Sequence, residues 1–111
     1  MTTWQKGRSG EDRALRFLEE VGYRLLARNV RLAGGEIDAI CLDAQTLVFV
    51  EVKRRDAKRF GSALSAVDAR KRATLRKLAA DYAQIVAPRA RFRFDVVALD
   101  GNLVTLYRNA F

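Results

Sequence analysis

The sequence predicts an α/β domain in which helices flank a mixed central sheet, with the element order αβββαββ. Two segments space their apolar residues as amphipathic helices do, and five shorter segments alternate apolar with polar residues as strands do. Helices and strands interspersed in this way pack as layers around one core. A chain of 111 residues supports a single modest core, so residues 1–111 are predicted to form one domain.

The first helix is predicted over about residues 3–21, because apolar side chains recur there at helical spacing and Gly22 follows as an end signal. Glu11 projects into the apolar stripe of this helix. An acid near the start of a helix can simply complement the helix dipole, or it can reach a site at the edge of the core. The apolar stripe has four members: Ala14, Leu15, Leu18 and Val21.

A first strand is predicted over residues 23–29, and Gly34 and Gly35 follow it. Adjacent glycines permit a tight turn, and they also permit a close approach to a phosphate backbone. The turn is the simpler interpretation of the two.

The second and third strands are predicted to form an antiparallel hairpin, because only residues 43–46 separate two alternating runs. If the turn is centred between Ala44 and Gln45, the numbers of paired residues sum to 89, and Asp38 lies opposite Glu51. Ala-Gln is not a favoured two-residue turn, so a longer loop or a shifted register is the alternative. A slip by one residue would move Asp38 to the other face of the sheet.

Strand alternation predicts which side chains of the hairpin share a face. Glu51 and Lys53 share one face at the end of an apolar strand. Cys41 is predicted to share a face with Ile37 and Ala39 and to serve as a small core residue. Burying an acid and a base is costly unless they are paired, hydrogen-bonded or bound to a metal. The acid and the base at the end of the third strand therefore predict that this part of the chain has a chemical function.

Directly opposed strand side chains have Cβ atoms about 5 Å apart, so Asp38 and Glu51 can share one divalent cation. Without a cation the two carboxylates repel, and one of them is expected to bind a proton. Glu36 falls opposite Lys53 in the same register. We expect Glu36 beside the site, as a pairing partner of Lys53 rather than as a metal ligand.

Four basic residues follow the third strand directly: Arg54, Arg55, Lys58 and Arg59. Their position next to the predicted site favours contact with a phosphodiester backbone. A solvated loop is the alternative interpretation.

A second helix is predicted to follow a capping-box pattern at residues 65–68 and to end near Val86, before Pro88. Lys71 falls on the apolar side of this helix. Its ammonium group can snorkel to solvent there, or it can reach the site as an auxiliary phosphate contact. The predicted apolar side consists of Val67, Leu75, Leu78, Tyr82 and Ile85.

The fourth and fifth strands are predicted over residues 91–99 and 103–107, joined by a hairpin at Asp100-Gly101. Arginine and phenylalanine alternate at the start of the fourth strand. This pattern is typical of an amphipathic strand, and a nucleic-acid platform of stacking rings and cations is the alternative. Asp95 is predicted to be structural rather than a metal ligand.

The residue types that are present restrict the chemistry. The chain has no histidine, which excludes histidine bases and ligands, and a single cysteine, which excludes an internal disulfide or a multi-thiolate zinc site. Hydrolysis by this chain would need carboxylates, lysine and a hard cation such as Mg²⁺ or Mn²⁺. The formal net charge of +8 favours polyanionic partners such as nucleic acid, although basic surface charge also serves solubility.

No apolar stretch is long enough to span a membrane, and the first residues lack a secretory core. We therefore expect a cytoplasmic protein without a membrane partner. Attachment to a membrane surface is disfavoured, because both helices use their apolar faces for the core.

The sequence resembles a known family at two motifs, GEID at residues 35–38 and FVEVKRR at residues 49–55. These motifs are similar to the signature of the YraN-like proteins, small bacterial predicted endonucleases. That family belongs to the PD-(D/E)xK, or restriction-endonuclease-like, superfamily, to which archaeal Holliday-junction resolvases are related. The resemblance covers most of the chain, from Gly10 to Val97. Ile37 stands where the name of the superfamily motif has a proline, which is not a metal ligand.

The resemblance implies a restriction-endonuclease-like fold and a Mg²⁺- or Mn²⁺-dependent endonuclease that hydrolyses DNA phosphodiester bonds. It implies that Asp38 and Glu51 bind the metal and that Lys53 orients or activates the attacking water. Glu11 matches the acidic residue that many members carry on their first helix. Resolvase kinship implies branched DNA as a substrate and a symmetric homodimer, because two cuts across a junction need two active sites.

A non-catalytic nucleic-acid-binding adaptor that keeps the nuclease fold is the alternative function. The same positive charge would serve it, and its acidic residues would form a hydrogen-bonded network. The presence of both acids together with Lys53 argues against this alternative, because the loss of any one would disable metal-assisted hydrolysis.

Overall fold

The computed structural model describes residues 3–55 and 69–111, and it confirms the predicted element order. The predicted capping box at residues 65–68 lies outside the described residues. The two helices and five strands are α1 (Thr3–Glu20), β1 (Arg24–Leu32), β2 (Gly35–Asp43), β3 (Thr46–Arg55), α2 (Ala69–Val86), β4 (Phe92–Asp100) and β5 (Leu103–Tyr107).

All five strands form one sheet in the order β1-β2-β3-β4-β5. Neighbouring strands are antiparallel except β3 and β4, which run parallel from Leu47↔Phe92 to Arg55↔Asp100. A parallel pair needs a crossover connection, and α2 lies in that connection. The mixed α/β sheet flanked by helices is therefore confirmed.

The β2–β3 hairpin has the predicted register, since its pairs run from Asp43↔Thr46 to Ala39↔Val50. The turn consists of the two residues between Asp43 and Thr46. Ala44 adopts a φ of 54° there, a left-handed conformation that is unusual for a residue with a Cβ atom. The apolar faces on both sides of the sheet specify this register, because a one-residue slip would expose them. They outweigh the unfavourable turn sequence.

The sheet separates two apolar clusters, one under each helix. The cluster under α2 contains Leu47 and Phe49, and the cluster under α1 contains Val48 and Val50. Alternate residues of β3 thus face opposite helices, as predicted. Each helix buries one face against the sheet, so the end of β3 projects its polar side chains towards both helices.

One predicted strand face and two predicted core positions are wrong. Ile37 packs in the cluster under α2 rather than beside Ala39 and Cys41, so the change of face falls at Asp38. Val21 is exposed because α1 has ended one residue earlier.

The third, Ile85, is 82% exposed. Ala79 and Ala83 are buried instead, and their small side chains turn the contact face of α2 away from Ile85. Alanine is only weakly apolar, so two alanines at helical spacing do not mark a buried face clearly. The larger apolar residue Ile85 was therefore predicted to lie on that face.

Candidate active site

The Asp38 carboxylate is held at the end of the β2–β3 ladder by the main chain of β3. The paired positions stop at Ala39↔Val50, and Asp38 Oδ2 accepts a hydrogen bond of 2.8 Å from the Val52 backbone N–H. The side chain thus takes the place of a main-chain acceptor. This arrangement directs the Asp38 carboxylate towards the strand that carries Glu51.

Glu51 is buried, with 4% of its side chain exposed, and two lysines surround it. Lys53 Nζ lies 3.4 Å from Glu51 Oε1, and Lys71 Nζ donates a hydrogen bond to the same oxygen. Lys53 comes from the same strand face, whereas Lys71 comes from the first turns of α2. Two ammonium groups offset the cost of burying one carboxylate.

Lys71 stays protonated in this cluster. Burial lowers the pKa of Lys71, but the hydrogen bond and the charge of Glu51 outweigh burial and raise the pKa overall. Of the two interpretations of Lys71 in the sequence, the structure favours reach into the site over snorkelling. Lys71 carries a full positive charge at the point where Glu51 is buried.

The pKa of Asp38 is raised to about 7. Burial is the largest cause, and the negative charges of Glu51 and Glu11 add to it. The Val52 N–H and the charge of Lys71 act in the opposite direction. The sequence predicted that one of two neighbouring carboxylates would bind a proton, and Asp38 has this tendency.

An open pocket of about 600 Å³ joins α1, the β1–β2 turn and α2 next to these groups. Glu11, which is partly buried, lines this pocket together with Asp38 and Lys71, so the structure brings these three predicted residues together. Glu11 also lies 3.8 Å from Arg28 Nη2. Its carboxylate therefore faces the pocket at the margin of the core. The other lining residues are Gly34, Gly35, Glu36, Arg70, Thr74 and Leu75.

The predicted tight turn consists of Ala33 and Gly34, and Gly35 is the first residue of β2, paired with Leu32. Gly34 adopts a φ of 102°, which glycine reaches without strain. A Cβ atom on Gly35 would lie 3.3 Å from Leu78 and 3.5 Å from Thr74, so this glycine also lets α2 pack closely. The predicted partner of Glu36 was Lys53, whereas the structure pairs Glu36 with Arg31 at 3.6 Å.

The predicted basic stretch divides around the end of β3. Arg54 is exposed on the opposite face from Lys53, next to Gly10 of α1. Arg55 ends the strand, and its side chain lies outside the described part of the chain, as do Lys58 and Arg59. Of these predicted phosphate contacts, the structure places Arg54 alone, and it lies on the α1 side.

Asp95 belongs to a separate buried network. Its carboxylate accepts hydrogen bonds from Tyr23 Oη (2.7 Å), Arg93 Nε (3.0 Å) and the Asn109 backbone N–H (2.9 Å). This agrees with the structural role predicted for Asp95. Tyr23 and Asn109 were missed in the sequence, because nothing local links positions that far apart in the chain.

The carboxylates at the pocket suit a hard cation by their chemistry. Within residues 3–55 and 69–111, no group of three or more acidic or cysteine side chains is arranged to hold a metal ion. Mg²⁺ commonly takes only one or two carboxylates and completes its shell with water and substrate phosphate. Asp38 and Glu51 are two carboxylates of this ligand type, and their mutual repulsion is the kind that a cation relieves.

The chain belongs to a recognised protein family. A family profile, described as Uncharacterised protein family UPF0102, matches residues 10–99. A UPF0102 protein of Shewanella loihica is 45% identical over 96% of this chain and 93% of its own length. One of Dechloromonas aromatica is 44% identical over 99% and 91%, and one of Symbiobacterium thermophilum is 46% identical over 95% and 94%. The chain is therefore a member of UPF0102, which confirms the YraN-like family expected from its motifs.

Neither described helix is both long and apolar enough to cross a membrane.

Proposed function

We propose that this protein is a Mg²⁺- or Mn²⁺-dependent DNA endonuclease of the PD-(D/E)xK superfamily. The observation that carries the proposal is the buried Glu51 carboxylate, 3.4 Å from Lys53 and next to Asp38 with its raised pKa. A buried acid that is paired with a partly exposed lysine is costly for stability and useful for chemistry. The net charge of +8 favours a polyanionic substrate.

Asp38 and Glu51 are the residues that would hold the cation. When bound, Mg²⁺ supplies positive charge that offsets the charge of the phosphate and of the transition state. Glu51 is already placed by β3, and the Val52 N–H fixes one oxygen of Asp38, so little side-chain reorganisation is needed. Loss of the proton from Asp38 would complete the pair of carboxylates.

Lys53 would donate hydrogen bonds to the attacking water and orient it towards phosphorus. That attack breaks the bond between phosphorus and the leaving sugar oxygen. Lys71 would leave Glu51 for a phosphate oxygen of the substrate, because its charged ammonium group faces the same pocket. Glu11 would hold a water at the other wall of the pocket. We expect the reaction to take place in the cytoplasm.

Branched DNA is the substrate that resolvase kinship favours, and a symmetric homodimer would bring two active sites to one junction. Both are part of the proposal. A panel of labelled single-stranded, duplex, flap and four-way-junction DNA, each with Mg²⁺, Mn²⁺ or EDTA, tests the substrate. Light scattering after size exclusion tests the dimer.

Substitution of Glu51 by glutamine tests the site. Glu51→Gln keeps the shape and removes the charge, and we expect cleavage to fall on the order of 10³-fold while circular dichroism stays unchanged. Glu20→Gln, on the exposed side of α1, is the matched control and should cleave as the wild type does. Equal, metal-dependent cleavage by Glu51→Gln would refute the assignment of the site.

A nucleic-acid-binding adaptor is the second candidate, and one observation favours it. Lys53 and Lys71 together already balance the charge of Glu51, so these groups could serve as a closed structural network. The adaptor predicts DNA binding without cleavage under every metal condition. It also predicts that Glu51→Gln binds DNA as well as the wild type does.

A further inference from the structure

We propose that Arg13 and Arg54 form a second phosphate site on the α1 side of β3, where they hold a backbone phosphate near the one that is cut. The assignment of this phosphate to DNA rests on the proposed function. The two arginines line one cavity of about 240 Å³ together with Leu99 and Gly101. Arg13 was not singled out by any sequence pattern.

The first observation is an unsatisfied donor. Arg13 Nε is buried, and it has no hydrogen-bond partner in the described part of the chain. A buried donor without an acceptor destabilises the folded protein. An anion in the cavity would supply the acceptor that this nitrogen lacks.

The second observation is the charge of the cavity. Among the residues that the structure describes, its lining includes two guanidinium groups and no carboxylate. Among the described residues, neither Arg13 nor Arg54 forms an ion pair. Two like charges around one cavity repel each other unless an anion lies between them. The planar fork of a guanidinium group matches phosphate oxygens, and two such groups can bind one phosphate from two sides.

The third observation is the space that Gly10 leaves for Arg54. A Cβ atom on Gly10 would lie 2.5 Å from Arg54 Nη2, which is too close for the present position of the guanidinium group. Glycine inside a helix costs stability relative to alanine. Its presence at this position of α1 is explained by the arginine that lies against it.

The site lies next to the candidate active site. Lys53 and Arg54 are consecutive strand residues, so they project to opposite faces at the same end of β3. A smaller cavity of about 170 Å³, lined in part by Gly10, Glu11 and Arg54, adjoins the arginine cavity. Glu11 also lines the large pocket that contains Asp38. A nucleic-acid strand cut on the α2 side can therefore continue around the end of β3 to the two arginines.

DNA binding in EDTA tests the site without cleavage. We would measure fluorescence anisotropy of labelled DNA over a range of salt concentrations for Arg13→Gln, Arg54→Gln and the double variant. Each single substitution should weaken binding about fivefold to tenfold near physiological salt and reduce the salt slope by about 0.7–0.9. The double variant should lose less than the product of the two single effects, because both arginines hold one phosphate.

Two arginines serve as matched controls, Arg16 on the exposed side of α1 and Arg89 in the exposed α2–β4 connection. Arg16→Gln and Arg89→Gln remove the same charge and should leave the salt slope at its wild-type value. Gly10→Ala removes no charge and favours the helix, yet it displaces Arg54. We expect Gly10→Ala to weaken binding by less than Arg54→Gln does, because the displaced guanidinium group keeps its charge.

Titration with inorganic phosphate separates this inference from the proposed function. In the wild type, the Arg13 Nε–H resonance should shift with phosphate, and in Gly10→Ala the shift should be much weaker. If DNA binds but Arg13→Gln and Arg54→Gln match the controls, the site is refuted and the nuclease proposal stands. If DNA neither binds nor is cut while Arg13 responds to phosphate, the nuclease proposal falls and the anion site stands. No response of Arg13 to phosphate would refute the site.

Discussion

The protein buries two acidic side chains in its sheet, and their surroundings differ. Asp95, on the α1 side, has no exposed surface and accepts hydrogen bonds from Tyr23, Arg93 and the Asn109 main chain. Glu51, on the α2 side, is paired with two lysines whose side chains are 24% and 41% exposed, next to an open pocket. We call Asp95 and its donors the closed network, because Asp95 has no exposed surface. We call Glu51 and its two lysines the open network, because Lys71 lines a pocket that is open to solvent.

The two networks suit different roles: the Asp95 network stabilises the fold, and the Glu51 network is suited to binding a ligand. Tyr23 and the Asn109 main chain come from other parts of the chain, and Arg93 lies two residues from Asp95 on β4. The closed network therefore ties the α1–β1 connection, β4 and the C-terminal residues together. Around Glu51, the lysines can exchange the carboxylate for a ligand, because each reaches solvent. Arg93 is also partly exposed, at 20%, but Asp95 has a phenol O–H and a main-chain N–H as further donors, whereas the partners of Glu51 are lysines next to the pocket.

The largest expected effect is on stability, from the closed network. Asp95→Ala removes the acceptor of Tyr23 and leaves Arg93 with Asp43 as its carboxylate partner. We expect it to lower the free energy of unfolding by about 3–5 kcal/mol. Asp81→Ala, at an exposed position of α2, should change it by less than about 0.5 kcal/mol. Urea unfolding followed by circular dichroism measures both. A loss below about 1 kcal/mol for Asp95→Ala would contradict the structural role of the network.

We expect a substitution in the open network to reduce activity rather than stability. Lys71→Met removes one of the two ammonium groups at Glu51, and we expect cleavage to fall about 10- to 100-fold while the thermal midpoint changes little. Lys77→Met, at an exposed position of the same helix, is the control and should retain full activity. The reverse pattern, with lost stability and unchanged cleavage, would make Lys71 a structural partner of Glu51.

The pH dependence of stability should report the protonation of Asp38, the carboxylate next to the open network. In the folded protein Asp38 keeps its proton up to about pH 7, whereas the unfolded chain releases it near pH 4. Between these values the folded state binds more protons, so the free energy of unfolding contributed by Asp38 falls as the pH rises. We expect a fall of about 3 kcal/mol from pH 4.5 to pH 7.5 in EDTA, relative to Asp38→Asn. Identical pH profiles for the two proteins would contradict the raised pKa.

The smallest effect is expected at Cys41, inside the apolar cluster under α1. Burial, with the charges of Asp95 and Glu19, raises the pKa of the Cys41 thiol to about 12. The reactive thiolate is therefore nearly absent at pH 8, and the thiol is also inaccessible. Native protein should not react with a thiol reagent for hours, and protein in urea should react at once. Rapid labelling of native protein would show that the α1 side opens.

Residue spacing predicted the site correctly where the residues concerned lie close together along the same hairpin. The β2–β3 register followed from a short connection between two alternating runs, and it placed Asp38 near Glu51 correctly. The alternation failed at Ile37, because the strand changes face where the Asp38 carboxylate replaces a main-chain acceptor. Helical spacing failed at Ile85, because two alanines allow closer packing than a larger apolar residue does.

The sequence by itself determined the element order, the mixed sheet, the hairpin register and the pair Glu51 and Lys53, because each depends on spacing within one segment. Only the tertiary structure decided that Lys71 meets Glu51, that Arg13 lies beside Arg54, and that Asp95 is enclosed by Tyr23 and Asn109. Three of these contacts, Lys71–Glu51, Tyr23–Asp95 and Asn109–Asp95, join residues 20, 72 and 14 positions apart. Their partners are selected by how helices pack on the sheet, and no local spacing of residues encodes that packing.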